Sequence, residues 1–267
     1  MDLKRISSGI IVGIIVAIML LIPNNYIIGI LLTIIAILAM KEYLGAISKI
    51  CKPIKWVAYL STIVIAIINF IPEEYLLICI MSFMPLTILL LFLNIIVTDM
   101  KITFKDMAYT LLGICYITIF MTFLSLIDGM EYGKFLIGYI IIASFGTDIF
   151  AYVFGSKFGK HKFSKISPKK SIEGCIGGTI SAIIISIIYT YIINKYLKFE
   201  YSYIIVTFST LILSIISQIG DFSASTIKRY VDIKDYSDLI PGHGGMLDRI
   251  DSLLFISPFA YLLFNII

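Results

Sequence analysis

The sequence predicts an all-α polytopic membrane protein of about nine transmembrane helices with its amino terminus in the cytoplasm. Three observations predict it. Hydrophobic residues make up 60% of the 267 positions and charged residues only 14%, whereas soluble domains carry about a quarter charged; mean hydropathy is +1.02. The apolar residues gather into runs close to the roughly 20 residues that cross a hydrocarbon core. The basic residues then segregate to one side of those runs.

Nine runs come close to or reach spanning length: 6–22, 26–46, 56–71, 76–97, 108–127, 135–155, 175–193, 203–219 and 252–267. Met1-Asp2-Leu3-Lys4-Arg5 before the first run has the look of a secretory signal. It lacks a small-x-small cleavage site and more apolar segments follow at once, so it reads as a retained first span. Pro23-Asn24-Asn25 joins the first two runs as a tight hairpin, and the third and ninth runs are short at 16 residues each. With the amino terminus inside, alternation places 18 of the 21 basic residues on the inner side, leaving Lys134, Lys195 and Lys198 outside. Removing or adding a middle span scrambles that segregation.

The outer connections are short, and the two long inner ones are Ser156–Gly174 and Gly220–Asp251. Long polar connections in an otherwise minimal membrane protein are where function concentrates. The chain therefore divides into an amino-terminal scaffold, 1–134, and a carboxy-terminal catalytic region, 135–267. The four cysteines, Cys51, Cys79, Cys115 and Cys175, show no CxxC or CxxH spacing. Ordinary packing residues are the better reading than a zinc site or disulfide framework.

The last inner segment holds six acids (Asp221, Asp232, Asp235, Asp238, Asp248, Asp251) and four bases. Magnesium takes one or two carboxylates plus substrate phosphates, and Lys and Arg pair with phosphate oxygens. The mixture suits a magnesium–polyphosphate complex; a solvated charged loop is the plain alternative. Pro241-Gly242-His243-Gly244-Gly245 breaks helix and offers backbone N–H groups. Asp248 and Asp251 follow at i,i+3, on one face of the first turn of the ninth helix, with Arg249 pointing elsewhere. A helix amino terminus favours negative charge, whether acids or bound phosphate. Asp221 closes the eighth span and is a metal-ligand candidate with Asp248. The plain alternative is a helix-end acid at headgroup level.

In the other long segment, Asp148 lies about two turns inside the sixth span, a costly placement. Ser167-Pro168-Lys169-Lys170-Ser171, with Glu173 beyond, reads as a phosphate grip: two cations, hydroxyls and helix-start N–H groups. Lys157, Lys160, Lys162 and Lys165 are better read as ordinary inner-side lysines. Gly155–Lys160 is one residue short of a P-loop and follows a membrane helix, so that reading is rejected. His161 and His243 share no metal-ligand spacing. His243 sits where it contacts a phosphate or base, or simply holds a turn.

The stretch Ser225-x-Ile-Lys-Arg-x4-Lys-Asp-x-Ser-x2-Ile-Pro-x-His-Gly-Gly-Met-x-Asp-Arg-Ile-Asp251 resembles the signature of phosphatidate cytidylyltransferases. Ser167-Pro-Lys-Lys-Ser-x-Glu-Gly174 and Asp148-x-x-Ala-Tyr-x-x-Gly155 are also similar to that family. The resemblance implies that CTP and phosphatidic acid give CDP-diacylglycerol and pyrophosphate, in a plasma or inner membrane. It implies a cavity open to the cytoplasm, a homodimer with contacts in the scaffold, and Mg2+ with K+ as a second ion. No nucleic-acid partner is implied. On matching positions Asp221 and Asp248 would bind the metal centre, Lys169, Lys170, Lys228 and Arg229 would hold phosphates, and Asp251 would assist. Asp148, Ser167, Ser171, Glu173, His243, Gly244, Gly245 and Arg249 complete the expected substrate site. The rival readings are a CTP-dependent lipid kinase of the dolichol or diacylglycerol kinase type and, from another class, a membrane transporter. A transporter should show paired broken helices or inverted repeats; here the polar residues gather at one face instead.

Overall fold

The computed structural model describes residues 25–164, 166–168, 170–198, 200–240 and 244–266. Among the described residues the regular structure is helical, with two isolated bridges and no strand. Apolar runs in lipid have no water to satisfy backbone groups, so each forms its hydrogen bonds internally as a helix.

Among the described residues seven helices are long and apolar enough to cross a membrane: α1 (Asn25–Ile47), α3 (Glu73–Val97), α4 (Phe104–Gly129), α5 (Gly133–Phe158), α6 (Ile172–Leu197), α7 (Tyr203–Tyr230) and α8 (Leu247–Ile266). The predicted run 6–22 lies outside the described residues. Run 56–71 forms the shorter α2 (Lys55–Phe70), broken into helical pieces at Ile63 and Ile68. At that break Ser61 and Thr62 donate their hydroxyls to the carbonyls of Ala58 and Tyr59, both at 2.7 Å. Such back-bonding competes with the helical ladder and bends it.

The largest departure from expectation is in α7. The apolar run ends at Ile219, yet the helix continues to Tyr230. Asp221 therefore lies within a helix instead of closing one, and the inner connection shortens to residues 231–246. Gly220, which follows the run directly, stays helical and buried, with room there for no Cβ beside Phe255, and Ala224, Ile227, Lys228 and Arg229 beyond it are adequate helix formers.

The chain packs as two compact units. One comprises residues up to Glu131 together with Tyr230–Ile250; the other comprises Tyr132–Arg229 and Asp251–Ile267. In the first, Tyr43 is fully buried and donates to the Tyr109 carbonyl at 2.8 Å. Gly113 faces its ring so closely that a Cβ would strike it. Thr103 and Asp106 form a reciprocal capping box at the start of α4. The Asp106 carboxylate also accepts Lys52 N–H at 2.6 Å, tying the connection after α1 onto α4.

In the second unit, glycines let α5 and α6 touch backbone to backbone. A Cβ on Gly174 would sit 2.6 Å from the Ala151 carbonyl, and one on Gly178 would sit 2.6 Å from the Thr147 carbonyl. This four-residue spacing of glycines is the small-xxx-small pattern of membrane helix pairs. Beside it runs a polar ladder: Thr147 to Ser214 (2.7 Å), Ser214 to Thr179 (2.9 Å) and Gln218 to Thr179 (2.9 Å). It joins α5, α6 and α7 where apolar contact alone would supply little specificity.

Candidate active site

In the second unit the polar residues converge on Lys170. A hairpin precedes α6, held by Phe163 N–H to the Lys170 carbonyl (3.0 Å) and Ile172 N–H to the His161 carbonyl (3.0 Å). Ser167 closes its turn through a 3.1 Å bond from Lys170 N–H. The hairpin delivers the Lys170 ammonium to Asp221 on α7, with which it forms an ion pair, and to 3.9 Å from Asp148 on α5. The same ammonium stands 4.9 Å from the centre of the Phe222 ring, on which Phe163 stacks at 4.6 Å. One aromatic ring thus contacts both the hairpin and the cation.

Asp148 sits two residues past a π-helical stretch, Ile142–Gly146. Such stretches change which side chains face inward. Ser252 on α8 donates to Asp148 at 3.2 Å and lies 3.4 Å from Asp251. Three carboxylates, Asp148, Asp221 and Asp251, are therefore linked through one lysine and one serine. With all three ionised, their formal charge exceeds that of the single cation by two. Lys228 lies on the Asp221 face of α7, seven residues or about 10 Å further along; Arg229 follows in the same last turn, exposed.

Two other expected residues serve the hairpin itself. Ser171 is buried and caps α6, its hydroxyl accepting Gly174 N–H at 3.1 Å. Glu173 accepts the N–H groups of Lys160 (3.2 Å) and His161 (3.3 Å) and pairs with His161 Nδ1 at 2.6 Å. Replacing Glu173 by glutamine is expected to speed tryptic cleavage after Lys160 and Lys162 several-fold. The melting temperature should stay within about 2 °C, because exposed ion pairs contribute little to global stability.

In the first unit, Asp248 lies in the first turn of α8 and is buried. Its Oδ2 accepts Tyr236 N–H and Gly245 N–H, each at 2.9 Å. Gly244 takes φ +86°, a conformation open to glycine, and its carbonyl accepts Ile240 N–H at 2.9 Å. Arg249 is half-buried, and its Nε finds no hydrogen-bond partner among the described residues. Lys169 and His243 lie outside the described residues.

Sequence reasoning missed Glu42. It lies in α1, is 8% exposed, and accepts Ser237 Oγ–H (2.5 Å), Met246 N–H (2.9 Å) and Leu247 N–H (2.8 Å). The backbone N–H groups offered at the start of α8 are thus taken by the carboxylates of Glu42 and Asp248, the acids that a helix amino terminus attracts. The signal was present: with Lys41, Glu42 is one of two charges in the run 26–46. The rule that intramembrane charges are costly singled out Asp148 and applies equally here.

No set of three or more His, Cys, Asp or Glu residues among those described is arranged as a metal cage. A hard cation such as magnesium keeps several waters and takes one or two carboxylates plus phosphate oxygens. The excess of carboxylate oxygens around Lys170 is the matching donor chemistry. The cysteines are all free. Cys51, between α1 and α2, has its pKa pushed up to about 11, first by burial and then by the charge of Asp106, so it stays a thiol at neutral pH.

The sequence model of the cytidylyltransferase family matches residues 3–267. The chain belongs to the cytidylyltransferase family. Relatives named phosphatidate cytidylyltransferase include that of Bacillus subtilis, 36% identical over 178 residues, 66% of this chain and 65% of the relative. The Thermotoga maritima protein is 34% identical over 175 residues, 63% of each chain. The Staphylococcus aureus protein is 32% identical over 260 residues, 95% of each chain. The first two alignments thus take in slightly under two thirds of those relatives, whereas the third runs nearly end to end.

Proposed function

We propose that this protein is an integral membrane phosphatidate cytidylyltransferase, joining CTP to phosphatidic acid to give CDP-diacylglycerol and pyrophosphate. The observation that carries the reading is the near end-to-end similarity to a relative of that name. The gathering of Lys170 with Asp148 and Asp221 is the chemistry such a reaction needs.

A phosphate oxygen of phosphatidic acid attacks the α phosphorus of CTP in line, and the bond from that phosphorus to the bridging oxygen of pyrophosphate breaks. No protein nucleophile is required. The difficulty is repulsion between two anions, and positioning with charge neutralisation is how phosphoryl-type transfers are accelerated. Lys170, Lys228 and Arg229 are assigned to phosphate oxygens, with Lys169 and Arg249 in the same role on the strength of their motif. Asp221 and Asp248 are the proposed metal-binding carboxylates and Asp251 supports them. A bound divalent cation supplies further neutralisation of charge on the triphosphate. Ser167, Ser171, Glu173, Gly244 and Gly245 shape the segments that carry these groups. His243 is assigned to the nucleotide on its motif alone.

We further propose nine spans with the amino terminus and the active site facing the cytoplasm of a plasma membrane, on the segregation of basic residues. Homodimerisation, K+ as second ion and the scaffold role of the first helices rest on the family resemblance.

The test uses purified protein with phosphatidic acid, magnesium and CTP labelled separately at the α and γ phosphates, run beside Asp248→Asn. Label from the α position should enter a chloroform-soluble product, and that transfer should vanish without magnesium and in the variant. Label from γ entering lipid would mean a lipid kinase. No label in lipid, from folded protein that binds CTP, would reject the reading. A covalent nucleotidyl-enzyme trapped with labelled CTP would reject direct attack.

A further inference from the structure

We propose that Glu42 is a positioning residue for this reaction: it clamps the start of α8 and thereby sets the place of Asp248 and Arg249. The inference rests on the cytidylyltransferase reading above. Glu42 is about 200 positions away in sequence, yet both of its carboxylate oxygens are engaged by the 237–247 segment. Oε1 accepts Ser237 Oγ–H and Met246 N–H; Oε2 accepts Leu247 N–H. Asp248 holds the same segment from the other side, through Tyr236 N–H and Gly245 N–H. The two acids thus share the donors of one loop between them. Without Glu42, the N–H donors of Met246 and Leu247 would lose their acceptor and turn to water or to other acceptors.

Gly245 gives independent support for a built contact. A Cβ there would sit 2.5 Å from Glu42 Oε2 and 2.7 Å from the carboxyl carbon, so a glycine is what allows the carboxylate to reach the helix start. A carboxylate is also needed, and an amide is no substitute. Both oxygens face backbone N–H groups, and a glutamine has one acceptor oxygen, so in either orientation its NH2 meets an N–H. An aspartate is one methylene too short.

The experiment compares wild type, Glu42→Gln and Ser237→Ala in the full-length protein. Hydrogen exchange is read over residues 236–248 without substrate or metal, and α-label transfer is measured as kcat, KM for CTP and KM for phosphatidic acid. Glu42→Gln should raise exchange in that segment at least tenfold and lower kcat at least tenfold, with KM for phosphatidic acid within twofold of wild type. Ser237→Ala, which removes one donor and keeps the carboxylate, should move both readouts the same way by a few-fold; it carries the test if Glu42→Gln does not fold. Faster exchange with kcat unchanged would mean that Glu42 only stabilises the fold and would overturn the proposal, as would unchanged exchange. If wild type itself fails to place α label in lipid, the reading of the reaction has failed, and Glu42 is not what was tested.

Discussion

Asp221→Asn is expected to lower cytidylyl transfer at least about a thousandfold, roughly 4 kcal/mol of transition-state stabilisation, while the protein remains folded. The substitution keeps the volume of the side chain and removes its charge. Lys170 would lose its ion pair with Asp221 but would still have Asp148 3.9 Å away, so the hairpin keeps an anchor. The proposed cation would lose one of its carboxylates. Lys170→Met should behave differently. It removes the cation beside Asp221 and Asp148; breaking a fully buried pair costs about 3–5 kcal/mol, and this half-buried pair, with side chains 22% and 24% exposed, should cost less than that. Both activity and melting temperature should therefore fall. Combining the two substitutions should restore part of the stability lost in Lys170→Met, since each is the other's partner. The checks are thermal melts in detergent and initial rates with α-labelled CTP. An Asp221→Asn protein retaining more than a tenth of wild-type kcat would place Asp221 among structural residues.

Gly178→Leu is expected to destabilise the protein strongly. Its side chain would start 2.6 Å from the Thr147 carbonyl and 2.9 Å from the Ala151 Cβ. Neither is a flexible side-chain end, so α5 and α6 must separate. Overpacking usually costs about 1–3 kcal/mol, and contact with backbone puts this case at or above the upper end. Separation would also carry off the hairpin, since Lys170 lies two residues before α6. Activity should drop more than tenfold with it. Gly45→Ala in α1 is the matched control, because nothing lies within 4 Å of its Cβ position. There the added methyl should be neutral or stabilise by up to about 1 kcal/mol through helix propensity. Equal melting temperatures for Gly178→Leu and wild type would mean that the glycine contact between α5 and α6 is not what holds this unit together.

The helical spans were largely legible because their signal is local. A run of apolar residues in lipid has no alternative to internal hydrogen bonding, so composition and length suffice. The boundaries were less legible where the polar residues begin. Asp221, Lys228 and Arg229 read as loop by hydropathy, yet they continue α7, because hydropathy reports the membrane edge and not the end of a helix. Ser171 and Glu173 were visible as polar residues at a helix start. Their partners, Gly174 N–H and the His161 turn, were not.

The sequence by itself determined the apolar character of this protein, the class of its fold and its family signature. Each of those depends on residue type and short spacing. Only the tertiary structure decided that Lys170 meets both Asp148 and Asp221, that Gly174 and Gly178 bring α5 and α6 into backbone contact, and that Glu42 closes on the start of α8. These are pairings between separate segments of the chain. Which face of one apolar helix meets which face of another is set by packing that no local pattern encodes.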